Sequence, residues 1–166
     1  MAKPYLLKEE LHLGPADATF VLSLTYWPWA LKPLWGFVAD SFPLFGSRRR
    51  AYLLLSGVAS AAGWFGLAAG SPGEAKETVL LLMMLGNLGI AVSDVVVDGL
   101  VVEKAQNNSS LMGSLQSFCW ASRGVGAVLS AYCSGALLEL WGVRWIFGLT
   151  GLLPLVVAGS PPPFRG

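Results

Sequence analysis

Pro28-Trp-Ala-Leu-Lys32-Pro33-Leu-Trp35-Gly36-Phe-Val-Ala-Asp40-Ser-Phe-Pro-Leu-Phe-Gly46-Ser-Arg48-Arg49-Arg50 is the stretch on which the fold turns. An apolar segment carrying one internal lysine runs up to Asp40, a short link follows, and three arginines close it. Residues 51–70 then hold no charge at all. Two apolar runs of about 20 residues joined by a short basic link have the length and flanks of two membrane-spanning helices with a cytoplasmic turn. The arginine triplet, set between apolar spans, reads as a topology anchor rather than a nucleic-acid arm.

Composition agrees. The chain has 166 residues, of which 54% are hydrophobic and only 13% charged, with mean hydropathy +0.60. A soluble domain carries about a quarter of its residues as charges. The net charge of +1 points to no strongly acidic partner. Cys119 and Cys133 lie fourteen residues apart in one apolar run, about four helical turns, too far to pair with each other. Residues 1–18 are short and mixed in charge, with no apolar core of a signal peptide, and are read as a segment outside the membrane. The lone histidine, His12, is read there as a solvated residue.

Outward from the opening stretch, five helices are expected at residues 19–39, 51–70, 78–102, 111–138 and 144–158, with no sheet. They form an all-α membrane bundle over residues 19–158, and a divergent proline-rich tail follows at 159–166. Pro28 and Pro33 should kink the first helix, which membrane helices tolerate when neighbours re-satisfy the backbone. Gly66-x-x-x-Gly70 in the second, and Ser122, Gly126, Ser130 and Ser134 in the fourth, are read as small-residue packing faces. The link with the three arginines and the link with Lys104 carry the positive bias and are placed in the cytoplasm. Asn107 and Asn108 match the glycosylation acceptor pattern, but on that topology they stay unmodified and Ser109 or Ser110 caps the next helix.

Four charges lie inside the spans. Lys32 is about seven residues, or roughly 10 Å, from the cytoplasmic end of its helix. Asp94 and Asp98 are four apart and share one helix face. Arg123 is about twelve residues into its span, near the bilayer middle, where its charge cannot be removed by deprotonation. Charges at such depth are costly and mark ion or solute paths, so all four are expected to face inward, as two positive and two negative groups in balance. Arg123 should hold Asp94 ionised, leaving Asp98 to exchange a proton. An enzyme is disfavoured. There is no Cys/His spacing for a metal, no phosphate-cradling Gly-x-x-x-x-Gly-Lys, and no nucleophile near His12; no cofactor, metal or nucleic acid is expected.

Gly36-Phe-Val-Ala-Asp40 followed by Gly46-Ser-Arg48-Arg49-Arg50 resembles the loop between helices two and three of the major facilitator superfamily. Taken with Pro28 to Pro33, Ser93-Asp94-Val-Val-Val-Asp98 and Ser114-Leu-Gln-Ser-Phe-Cys-Trp120, the pattern is similar to the folate–biopterin transporter family of that superfamily. The resemblance implies helices two to six of an amino-terminal half. It implies proton-coupled transport of folate or pterin solutes, a pathway at Lys32, Asp94, Asp98 and Arg123, and a gating loop at Gly36, Asp40, Gly46, Arg48, Arg49 and Arg50. It also implies the missing helices of the same transporter as partners in the lipid bilayer. The alternative is a truncated, non-transporting membrane subunit or regulator that assembles with a full-length relative. The residues do not distinguish a plasma membrane from a plastid envelope.

Overall fold

The prolines of the opening stretch break its helix into three pieces. The computed structural model describes residues 2–42, 50–70, 75–105 and 109–159. A short helix α1 (Ala2–Tyr5) runs into a π-helical turn (Leu6–Glu10), and then come α2 (Pro15–Thr25), α3 (Trp27–Ala30) and α4 (Lys32–Ser41). The sequence predicts one kinked helix over 19–39; the structure places its start at Pro15 and interrupts it at Tyr26 and Leu31, two residues before Pro28 and Pro33. Each proline lacks an N–H and clashes with the carbonyl four residues back, so the turn before it tightens. Trp29 N–H donates to the Tyr26 carbonyl (3.0 Å) and Leu34 N–H to that of Leu31 (3.0 Å), both one residue shorter than α-helical bonds. The Trp35 indole N–H takes over the Pro28 carbonyl at 2.9 Å, the kind of side-chain repair that lets a broken helix persist in lipid.

Three longer helices follow: α5 (Arg50–Ala69), α6 (Lys76–Ala105) and α7 (Ser109–Gly159), and no strand occurs among the described residues. The segments Arg50–Ala69, Lys76–Glu103 and Gly113–Gly159 are each long and apolar enough to cross a membrane. The 20 residues of α5 extend about 30 Å, the thickness of a bilayer's hydrocarbon core. Large apolar side chains face outward on every long helix, among them Leu55, Leu81, Val128 and Leu153. The architecture is a helical membrane bundle.

The expected turn at 139–143 shrinks to one residue. Gly142 alone leaves the helical conformation, at φ 78°, ψ 171°, a region that favours glycine. The chain reverses there: the second arm of α7 begins with Arg144 beside Gly70 and ends with Pro154 and Ala158 against Gly57, antiparallel to α5.

Between lipid-embedded helices there is little hydrophobic driving force, so close backbone approach matters. A Cβ on Gly63 would lie 2.6 Å from Gly86 N and 2.7 Å from the Leu82 carbonyl oxygen, and one on Gly57 would lie 2.7 Å from Ala158 Cβ. Helices α5 and α6 therefore meet at Gly63 and Gly86, with Gly66 against the Leu82 side chain and the Ser60 hydroxyl donating to the Gly86 carbonyl at 3.1 Å. The other expected packing face does not pack. Nothing lies within 4 Å of a Cβ on Gly126, and Ser122 and Ser130 are exposed, because no other described element covers that side of the first arm of α7.

The core lies where the start of the chain meets the long helices. Leu6, Leu7 and Leu13, from the segment read as external, pack with Trp64, Leu67, Val79, Met83, Val143 and Phe147. Trp64 and Phe147 stack with centroids 5.9 Å apart and planes within 4°.

Candidate functional site

Lys32 is the first residue of α4, directly after the second break, and its ammonium lies 4.6 Å from the centre of the Trp29 ring. Residues 15–41 lie against α6, with Gly36 close enough to Val95 that a Cβ there would be 3.3 Å from Val95 Cγ1. That approach carries Lys32 to Asp94. Lys32 Nζ donates to Asp94 Oδ2, and Arg123 Nη2 pairs with Asp94 Oδ1 from the far side. Both oxygens of one carboxylate are thus claimed by cations from different elements. The Asp94 side chain is 8% exposed, that of Lys32 29% and that of Arg123 50%. The guanidinium of Arg123 also lies 5.4 Å from the Trp120 ring centre.

Asp98 does not join. It is exposed one turn along α6, with no ion pair among the described residues, and lines a cavity that Arg123 also borders. The expected balance of two against two is therefore uneven in space: two cations enclose one buried carboxylate, and the second carboxylate has no ion pair among the described residues.

Two cavities meet at this cluster, both bounded by Asp94, Val97 and Arg123. One, of about 310 Å³, lies between α6 and the first arm of α7 and contains Asp98, Gln116, Cys119 and Trp120. The other, of about 380 Å³, lies among α5, α6 and the second arm of α7, with Ser56, Ser60, Trp64 and Thr150 on its walls. Both fall at the small end of the ~300–1,000 Å³ range of small-molecule sites.

The expected gating residues divide. Gly36 belongs to α4, where it serves the contact with α6, and Asp40 is exposed on the last turn of that helix. Arg50 is exposed at the start of α5, whereas Gly46, Arg48 and Arg49 lie outside the described residues, as do Asn107 and Asn108. Tyr52 ties the two flanks of the link together by donating to the Phe42 carbonyl at 2.9 Å.

Sequence reasoning missed two partly buried cations. Lys3, read as part of an external segment, donates to Asn87 Oδ1 at 3.1 Å, its ammonium 5.1 Å from the Trp64 ring centre and 5.5 Å from that of Tyr26. Arg144, read as the start of a helix, pairs with Glu10 at 2.5 Å and donates to the Gly70 and Leu67 carbonyls at the end of α5. It thereby satisfies carbonyls that a helix terminus leaves free. The one signal for Lys3 was Asn87, a polar residue in an apolar span that needs a partner. Among the described residues no group of His, Cys, Asp or Glu is arranged to hold a metal ion.

A family model described as the BT1 family matches residues 1–159. The chain belongs to the BT1 family. Curated relatives of this BT1-family chain include the "Folate-biopterin transporter" of Synechocystis sp., 44% identical over 96% of the chain and 32% of the relative. They also include "Probable folate-biopterin transporter 4" of Arabidopsis thaliana, 35% identical over 92% of the chain and 32% of the relative. "Folate transporter 1" of Plasmodium falciparum is 32% identical over 94% of the chain and 31% of the relative. The BT1-family chain thus spans about a third of the length of these relatives. No solved structure matches it. Family membership and the apolar helices together make the protein an integral membrane protein, and the relatives are named as transporters, not enzymes.

Proposed function

We propose that this chain forms part of a larger transporter that moves folate or pterin solutes, coupled to protons, with its pathway at Lys32, Asp94, Arg123 and Asp98. The observation that carries the reading is Asp94 held between Lys32 and Arg123 beside a cavity that also contains Asp98. Its chemistry suits an anionic solute. Lys32, Asp94 and Arg123 sum to one positive charge, and Arg123 is half exposed to the cavity. An ionised Asp98 cancels that charge. A protonated Asp98 leaves it for a solute carboxylate, so proton and anion bind together, and neither charge is carried alone into a medium where charge is expensive. The relatives' names supply the solute class. Alternating access needs a second repeat or half to rock against the first around a midplane site, so the remaining helices belong to the same working unit.

The test replaces the matching third of the Synechocystis relative with this chain and follows uptake of labelled folate into proteoliposomes under an imposed pH gradient. The chimera is expected to accumulate folate. Asp98→Asn, which fixes the neutral form, should abolish the dependence on the gradient while leaving folate binding partly intact. Gradient-driven accumulation by Asp98→Asn equal to the parent's would remove Asp98 from proton coupling.

A further inference from the structure

The charged cluster has a place for a carboxylate but none, by itself, for a flat ring. We infer that the cavity between α6 and the first arm of α7 seats the planar ring of the solute, with Trp120 as its stacking face and Gln116 as its hydrogen-bonding edge. This rests on the solute class proposed above. It assigns a role to two residues outside the charged pathway.

Gln116, Trp120 and Arg123 follow one another at four and then three residues, so they line one face of a helix. Asp94, Val97 and Asp98 do the same on α6, and the six residues form the facing walls of the 310 Å³ cavity. Trp120 is 61% exposed, and Arg123 sits over its ring. A cation at that position holds the indole by its π-system and leaves the ring's remaining surface available. The Gln116 amide is exposed on the cavity wall, with no hydrogen bond among the described residues, and offers one acceptor beside two donors. The pyrimidine ring of a pterin presents an N–H beside a carbonyl, the complement of a primary amide. The ring would lie one helical turn from Arg123, which places a charged tail at the cations and the uncharged ring away from them.

The larger cavity offers no such platform. Its one large aromatic ring, Trp64, is 2% exposed and already stacked on Phe147.

Cys119, a free thiol on the wall of the same cavity, is the reporter. Both walls come from this chain, so the folate-transporting chimera in lipid nanodiscs serves, with Cys133 and the cysteines of the relative's portion replaced by serine. Biopterin, a pteridine without a glutamate tail, should slow maleimide alkylation of Cys119, and p-aminobenzoylglutamate should not. Trp120→Ala should raise the biopterin concentration for half-protection roughly tenfold to a hundredfold, and Trp120→Phe should stay within about threefold, as expected when an aromatic platform is removed or kept. Gln116→Leu should weaken biopterin without removing stacking. Unchanged Cys119 alkylation at saturating biopterin, or wild-type protection in Trp120→Ala, overturns the ring site. The chimera's uptake separates the two levels: folate transport with no ring effect at Trp120 sinks only this inference. Uptake of an unrelated anion in place of every pteridine sinks the solute class as well.

Discussion

Asp94 is the residue on which the polar centre depends. It accepts from Lys32 on one oxygen and from Arg123 on the other, and little of it is exposed. Removing the anion from a buried pair costs about 3–5 kcal/mol because the cation is left without compensation. Here two cations would be left, but Arg123 is half exposed and solvent or lipid headgroups can recover part of the loss. Asp94→Asn is therefore expected to lower the thermal unfolding midpoint of the purified chain in detergent and its folded yield. Asp98→Asn, at an exposed position with no ion pair among the described residues, should leave both nearly unchanged. Equal losses from the two substitutions would show that the carboxylates share one structural role. Depth in the sequence already assigned Arg123 to Asp94 and left Asp98 apart, four residues on in the same apolar run, but it gave Lys32 no partner. The difference between the aspartates comes from the neighbouring elements: α4 and the first arm of α7 both converge on Asp94, and neither reaches Asp98.

At the scale of elements, the glycines separate into those that touch and those that do not. Gly63 faces Gly86 and the Leu82 carbonyl so closely that an added methyl must push α5 and α6 apart. Overpacking of this kind costs about 1–3 kcal/mol, and backbone atoms yield less readily than the tip of a side chain. Gly126 faces nothing within 4 Å, and alanine there gains helix propensity worth up to about 1 kcal/mol. Gly63→Ala is expected to lower the unfolding midpoint, while Gly126→Ala leaves it equal or slightly raised. A comparable loss from Gly126→Ala would mean that the first arm of α7 is packed on that face. Both glycines look alike in the sequence, each in an apolar run with small residues nearby. Spacing identified the class of residue that permits close approach, but not which helix arrives to use it.

For the whole molecule, the polar groups gather at different heights. Glu10, Gly70 and Arg144 meet at one end of α5, whereas Arg50 begins the other end, on the side of α6 that carries Asp98. The positive bias of the link before α5 assigns that second end to the cytoplasm. With cysteines introduced one at a time, Ala75→Cys should react with an impermeant thiol reagent added to intact cells, and Ser41→Cys only after permeabilisation. The reverse pattern would invert the orientation, and labelling of both from outside would remove a membrane crossing. The uncovered first arm of α7 belongs to this scale too. The chain spans about a third of the length of its relatives, and the proposed transport depends on the helices beyond that third.

Apolar runs near 20 residues, separated by short polar links, already dictate helices in a membrane, because only a helix satisfies its own backbone in lipid over such a length. The deep charges were legible for the same reason: a lysine, two aspartates and an arginine within those runs need partners or water. The residues at 28–50, 93–98 and 114–120 were enough to point to the family to which the chain belongs. Only tertiary structure decided that Lys32 joins Arg123 on Asp94, that Trp64 is covered while Trp120 is open, and that Lys3 and Arg144 are drawn into the bundle. Periodicity along one chain specifies which residues share a helix face. Which face meets which is set by the closest approach of separate helices, at Gly36, Gly57, Gly63 and Gly86, and by the reversal at Gly142, and that information lies between segments distant in sequence.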